Sequence, residues 1–235
     1  MNYKFFPFFA FFMISFLPSE SKVPQNRLVA YTAAPTLEMK VESIYHSLNA
    51  NSFALPQYEC FSNALKGYYQ LKESGSIQKE LLTIIDFSLS SNVKRLWVID
   101  VATNTVLFHS LVAHGRNTGE EFANSFSNQA ESYKSSLGFY VTGEIYNGKH
   151  GKSLKLDGLE KGINDNARER AVVIHGADYV SQNFIKGNKR LGRSQGCPAI
   201  PVELNEKIIN VIKDKSCLFI YHPSRNLSIS SKLTS

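Results

Sequence analysis

The sequence predicts an α+β protein in which a small helical region precedes a mostly β domain, and three observations point there. Apolar residues between positions 36 and 90 recur at helical spacing, whereas from Lys94 onward the period shortens to that of strands. The hydrophobic share of 43% and charged share of 20% are those of a chain that buries a core. A length of 235 residues accommodates one or two domains.

The N-terminus opens on a run without charge from Phe5 to Leu17, followed by Pro18, Ser19, Glu20 and Ser21. That is the pattern of a secretory signal peptide over residues 1–21, with Ser19 and Ser21 suiting cleavage after Ser21. The run is shorter than the roughly 20 apolar residues a spanning helix needs, so no stable membrane span is expected after cleavage. Residues 22–35, with Pro24 and Pro35, read as a linker. Thr36 is placed to cap a first helix carrying Leu37, Val41, Ile44 and Leu48. Phe61, Ala64, Leu65 and Tyr68 mark a second helix, and beyond Gly75 the set Ile77, Leu81, Ile84 and Ile85 marks a third. Together they make a helical N-terminal region over 36–90, its apolar stripes serving as packing faces.

Residues 91–223 carry the strand-like runs. RLWVID and TVLFHSLVAH, parted by Ala102, Thr103 and Asn104, read as a hairpin. GFYVTGEIY at 138–146 is a further strand in which Gly143 permits a bulge. AVVIH, ending in His175, reads as a buried strand. CLFIYH at 217–222 is expected to close the sheet, after an amphipathic helix from Glu203 to Asp214. The serine-rich tail, 224–235, is expected to be mobile.

The formal charge of +6 favours an anionic partner. Its basic residues are spread along the chain with no accompanying motif, so no nucleic-acid partner is expected. Cys60, Cys197 and Cys217 are odd in number, and one thiol must stay free. Cys60 and Cys217 are expected as buried apolar residues, with a bond between them as the alternative.

The stretch from Ala171 to Pro201 holds the chemistry, because it offers the imidazole of His175 and the thiol of Cys197 to one site. Only a thiolate attacks a carbonyl well, and a free cysteine has a pKa of about 8.5. A neighbouring imidazole can take the thiol proton, hold the ion pair and later return a proton to the leaving amine. Gly196 permits close approach of a substrate backbone, and the amides near Cys197 are candidate oxyanion donors. A rival exists in Gly192 to Gly196, which fits the G-x-S-x-G nucleophile elbow with Ser194 as nucleophile. The elbow needs a strand just before and a helix just after, whereas IKGNKRL is polar and CPAIP carries two prolines. No pair among His109, His114, His150, His175 and Cys197 has the short ligand spacing of a zinc site, so neither a metal nor another cofactor is expected. His114 with Gly115 and His150 with Gly151 are candidate site walls. Asp165, Asn166 and Arg168 are candidate substrate contacts or a plain solvated loop.

His175-Gly176 followed by Ser194-Gln195-Gly196-Cys197 resembles the signature of the L,D-transpeptidase catalytic-domain family of bacterial cell-wall enzymes. Gly192 to Ala199, GRSQGCPA, is similar to the motif of its murein L,D-transpeptidase branch. The likeness runs from about Leu96 to His222, through LVAHG at 111–115, SSLGFYVTGE at 135–144 and GKHGKSLKLDGLEKG at 148–162. The resemblance implies a β-sandwich-like core, an exported protein of the periplasm or cell envelope, and peptidoglycan stem peptides as partners. It implies that Cys197 forms a thioester with a stem tetrapeptide and passes it to an amine acceptor, with His175 as base and Gly176 orienting that histidine through its carbonyl. Ser194, Gly196 and His114 then fall to substrate binding. The chain departs from the commoner family pattern in having Gln195 where a histidine stands and Pro198 where a polar or basic residue follows soon after the cysteine. Arg193 is expected to take over a carboxylate contact, since guanidinium and carboxylate pair in a two-pronged geometry. With water as acceptor the same site is an L,D-carboxypeptidase, and a wall-binding protein that keeps the fold without turnover is the alternative from another class.

Overall fold

The computed structural model describes residues 36–225, together with Met1 and Lys4. The rest of the expected signal peptide, the linker and the tail beyond Arg225 lie outside the described residues. Two helices come first, α1 (Leu37–His46) and α2 (Tyr58–Glu73). The Thr36 hydroxyl accepts the Met39 amide and so caps α1, satisfying one of the donors a helix start leaves open. Along α2, Phe61, Ala64, Leu65, Tyr68 and Leu71 form the buried stripe. Gly67 lies in the same stripe, and a Cβ there would sit 2.0 Å from the Phe139 ring. The missing side chain is what lets the helix lie against the sheet.

The strands are β1 (Leu81–Asp86), β2 (Leu96–Asp100), β3 (Thr105–Ser110), β4 (Gly138–Gly148), β5 (Gly151–Gly158), β6 (Val173–Gly176), β7 (Ala199–Ile200) and β8 (Cys217–Tyr221). Two more helices, α3 (Gln182–Asn188) and α4 (Val202–Ile212), flank β7. The eight strands of the described residues form one mixed sheet in the order β3-β2-β1-β8-β4-β5-β6-β7. This is the mostly β core with helices at its N-terminal side that the composition and period predict.

Three expectations change. The apolar run assigned to a third helix is β1, antiparallel to β2 and parallel to β8, so the segment 36–90 supplies a central strand. A short run such as LLTIID satisfies both periodicities, and pairing decides between them. β8 does not close the sheet but lies at its middle, between β1 and β4. Its side chains alternate: Cys217, Phe219 and Tyr221 face the cluster packed by α1 and α2, while Leu218 and Ile220 join the cluster containing Ile208, Ile209 and Ile212 of α4. Burial on both faces explains why this strand reads as a continuous apolar run. Finally, Arg225 is no mobile tail residue. It is 1% exposed and its Nη2 donates to Glu160 Oε2 at 2.6 Å, while Glu160 Oε1 accepts the Phe139 amide at 2.6 Å.

The β2–β3 hairpin forms as expected, with Asn104 in the left-handed region at φ 50°. β4 breaks register between Thr142 and Ile145, around Gly143. Cys60 and Cys217 are free thiols buried in the core. Among the described residues no helix is long and apolar enough to cross a membrane.

Candidate active site

Parallel pairing of β6 with β7 places His175 opposite Ala199 and Gly176 opposite Ile200. Cys197, two residues before Ala199, is thereby carried to the start of β6. The Val173 amide donates to its Sγ at 3.5 Å, and the thiol is 3.7 Å from the Ala171 carbonyl. Sequence-distant turns meet because a strand pair joins them.

The turn bearing Cys197 is tied down from several sides. The Ser194 amide donates to His114 O at 3.0 Å, and the Arg116 amide to Ser194 O at 2.8 Å. Ser194 Oγ accepts the Gly196 amide at 3.0 Å and donates to Cys197 O at 2.6 Å. Ser135 Oγ donates to Gly196 O at 3.1 Å. Gly196 has φ 120°, and a Cβ on it would lie 2.8 Å from Lys134 O, so both conformation and space require glycine. The Gln195 and Cys197 amides donate to no acceptor among the described residues.

A cavity of about 680 Å³ opens over this turn, lined by Cys197, Gln195, Ser194, His175 and Arg193 among others. Cys197 is partly exposed on its wall, whereas His175 is 2% exposed. The His175 Nδ1 is 3.0 Å from Gly176 O, so Nδ1 carries the proton and Nε2 is the basic nitrogen. His150, at the β4–β5 turn, stacks on the imidazole with ring centroids 4.4 Å apart. Burial, countered by the Gly176 carbonyl and reinforced by His150, holds the His175 pKa below its ordinary value. Burial also pushes the Cys197 thiol up, against the Val173 amide and the Arg170 guanidinium, which pull it down. Both shifts favour the neutral thiol and the neutral imidazole over the ion pair.

The other expected site residues divide. His150 lines the cavity. His114 does not: it is 1% exposed, with Nδ1 2.8 Å from Arg95 Nη2 and Nε2 3.2 Å from Gly119 O. Burial and the Arg95 charge bring its pKa down to about 4. In place of a wall it is a scaffold, whose main chain receives Ser194. Arg193 borders the cavity, but its Nη1 is shared by Arg116 O, Gly119 O and the Glu120 carboxylate at 2.6 Å. The Ser194 hydroxyl is committed within its own turn, and α3 precedes it where an elbow would need a strand. Asp165 and Asn166 bond Asn128, and Arg168 pairs with Asp157 and Glu144, away from the cavity lining. The sequence did not single out Arg170 or Tyr179, which do line it. The one available signal for Arg170 was its place just ahead of the AVVIH strand. Among the described residues no three His, Cys, Asp or Glu side chains are arranged to hold a metal.

Comparison with solved structures returns matches at low identity, L,D-transpeptidases among them. An L,D-transpeptidase from Mycobacterium smegmatis is 10% identical over 61% of this chain and 59% of its own, with a TM-score of 0.37. The helical cell shape determining protein Pgp2 from Campylobacter jejuni is 14% identical over 67% and 56%, with a TM-score of 0.40. An L,D-transpeptidase from Xylanimonas cellulosilytica is 11% identical over 77% and 91%, with a TM-score of 0.36. This chain thus spans little more than half of the first two. No curated protein matches it significantly. The family model described as the L,D-transpeptidase catalytic domain matches residues 54–221, from the approach to α2 through β8 and including both turns of the cavity. The chain belongs to the L,D-transpeptidase catalytic-domain family.

Proposed function

We propose that the protein is an exported peptidoglycan L,D-transpeptidase acting through Cys197. The observation that carries this reading is that Cys197 and His175 open onto one cavity, with His175 held by the Gly176 carbonyl in the tautomer that leaves Nε2 basic. The thiol proton passes to Nε2 as sulfur attacks the carbonyl of the third stem residue. The unengaged amides of Gln195 and Cys197 receive the developing oxyanion. The imidazolium then protonates the leaving D-alanine amine, and a thioester remains. The side-chain amine of a second stem, deprotonated by His175, opens that thioester to form the crosslink. Water in its place gives the tripeptide, and the same site is then an L,D-carboxypeptidase. Export follows from the N-terminal leader pattern, and the family's place on the cell wall supports it.

Incubating the purified protein with disaccharide tetrapeptide and weighing the products tests the reading. A crosslinked dimer supports the transpeptidase, and tripeptide alone supports the carboxypeptidase. Cys197→Ser is expected to abolish both products, and His175→Ala to slow them by several orders of magnitude. Turnover near wild type in either variant removes the mechanism, and a wall-binding protein without turnover becomes the reading.

A further inference from the structure

Charged side chains from several segments line the cavity that holds Cys197, and their surroundings differ. Lys149 on the β4–β5 turn, Glu131 on the loop before β4 and Glu169 ahead of β6 are exposed, so water screens them. Arg193 lies against the Glu120 carboxylate at 2.6 Å. The remaining titratable neighbours are His150, His175, Tyr133, Tyr146 and Tyr179.

Arg170 is half-buried and has no carboxylate partner among the described residues. Its Nη1 donates to Ser127 O at 2.9 Å and Ser136 Oγ at 2.6 Å, and its Nη2 to Ser132 Oγ at 3.3 Å and Lys134 O at 2.7 Å. Four neutral acceptors use up the Nη hydrogens, so the guanidinium cannot fork onto a substrate carboxylate. Its charge is left without an opposite. The turn holding the nucleophile brackets it: Ala171, the next residue, has its carbonyl 3.7 Å from Sγ, and a Cβ on Gly196 would lie 3.4 Å from Nη2. Keeping a cation out of water without a counter-charge is costly, and an anion formed beside it removes that cost.

We propose that Arg170 is a positioning residue, the fixed positive charge against which the Cys197 thiolate forms. The S–H bond breaks, the proton moves to His175 Nε2, and the sulfur keeps the electron pair beside the guanidinium. The pull of Arg170 on the thiol acts in this direction, opposing the larger effect of burial. The inference rests on Cys197 as nucleophile only for its catalytic meaning; the ionisation itself is measured separately.

The test is the pH dependence of Cys197 alkylation by iodoacetamide, followed by the mass of its peptide, in the wild type, Arg170→Lys and Arg170→Gln. A nearby opposite charge moves a pKa by about 1 unit or more, so Arg170→Gln is expected to raise the midpoint by about 1 unit and slow alkylation about tenfold at neutral pH. Arg170→Lys, which keeps the charge but not the four-acceptor fork, is expected to stay within about half a unit of the wild type. A folded Arg170→Gln with the wild-type midpoint overturns the proposal, as does a lysine variant that shifts as far as the glutamine one. If thermal melting shows that Arg170→Gln does not fold, the neutral Arg170→Met is read in its place by the same criteria. Should Cys197→Ala keep turnover, the proposed function falls while the midpoint still answers for Arg170.

Discussion

The Ser194 hydroxyl accepts the Gly196 amide and donates to the Cys197 carbonyl, so both of its roles are taken inside the turn. Removing it leaves a buried amide and a carbonyl short of a partner, which costs about 1–3 kcal/mol. Ser194→Ala is therefore expected to lower the melting temperature and slow turnover about ten- to a hundredfold, with the acyl adduct still forming on Cys197. Peptide mapping of the adduct checks this, and an adduct on Ser194 in the wild type would make serine the nucleophile. At this scale the sequence was most legible where residue type and chemistry coincide. His175-Gly176 and Ser194 to Cys197 announce a thiol beside a base. Arg170 was illegible because its partners lie 34 to 43 residues earlier, and only the folded loop brings them to it. His114 misled for the converse reason. A histidine before a glycine reads as a site wall, and nothing local reveals that Arg95 will meet it in the core.

The helices α1 and α2, the β2–β3 hairpin and α4 are visible in the sequence because each is decided within itself. Capping, an apolar stripe and a turn are local properties. β1 depends on β8, more than a hundred residues later, and so reads as a helix until its partner is known. The short segment after β8 likewise takes its meaning from β4. Arg225 holds Glu160, Glu160 holds the Phe139 amide, and the guanidinium stands over the Phe139 and Phe219 rings at 5.7 and 5.3 Å. Removing one member of a buried ion pair costs about 3–5 kcal/mol. Truncation after Pro223 or Arg225→Ala is expected to destabilise the fold by that order. Urea unfolding of both beside the full chain measures it, and equal midpoints for all would show that the pair contributes nothing.

Acid acts on the molecule as a whole through its buried histidines. With His114 at about 4, the unfolded chain binds a proton between about pH 6.5 and pH 4 that the folded chain does not. Stability is therefore complete above that window and falls as pH drops through it, by about 3 kcal/mol for this residue at roughly 1.4 kcal/mol per unit. His175, His109 and His222 are lowered by burial and act in the same direction. Asp86, raised by burial, partly opposes them. Urea midpoints at pH 7 and pH 4.5 are expected to differ accordingly, and a flat profile would show that His114 takes up its proton in the folded state. The sequence by itself determined the fold class, the family likeness and the choice of Cys197 and His175 as candidates for one site, because period, composition and residue type are carried by the chain. Only the tertiary structure decided which strands lie at the centre, which histidines line the cavity and which arginine lines it without a carboxylate partner among the described residues. Burial and neighbouring charge are properties of contacts between distant segments, and they set whether a side chain is scaffold or chemistry.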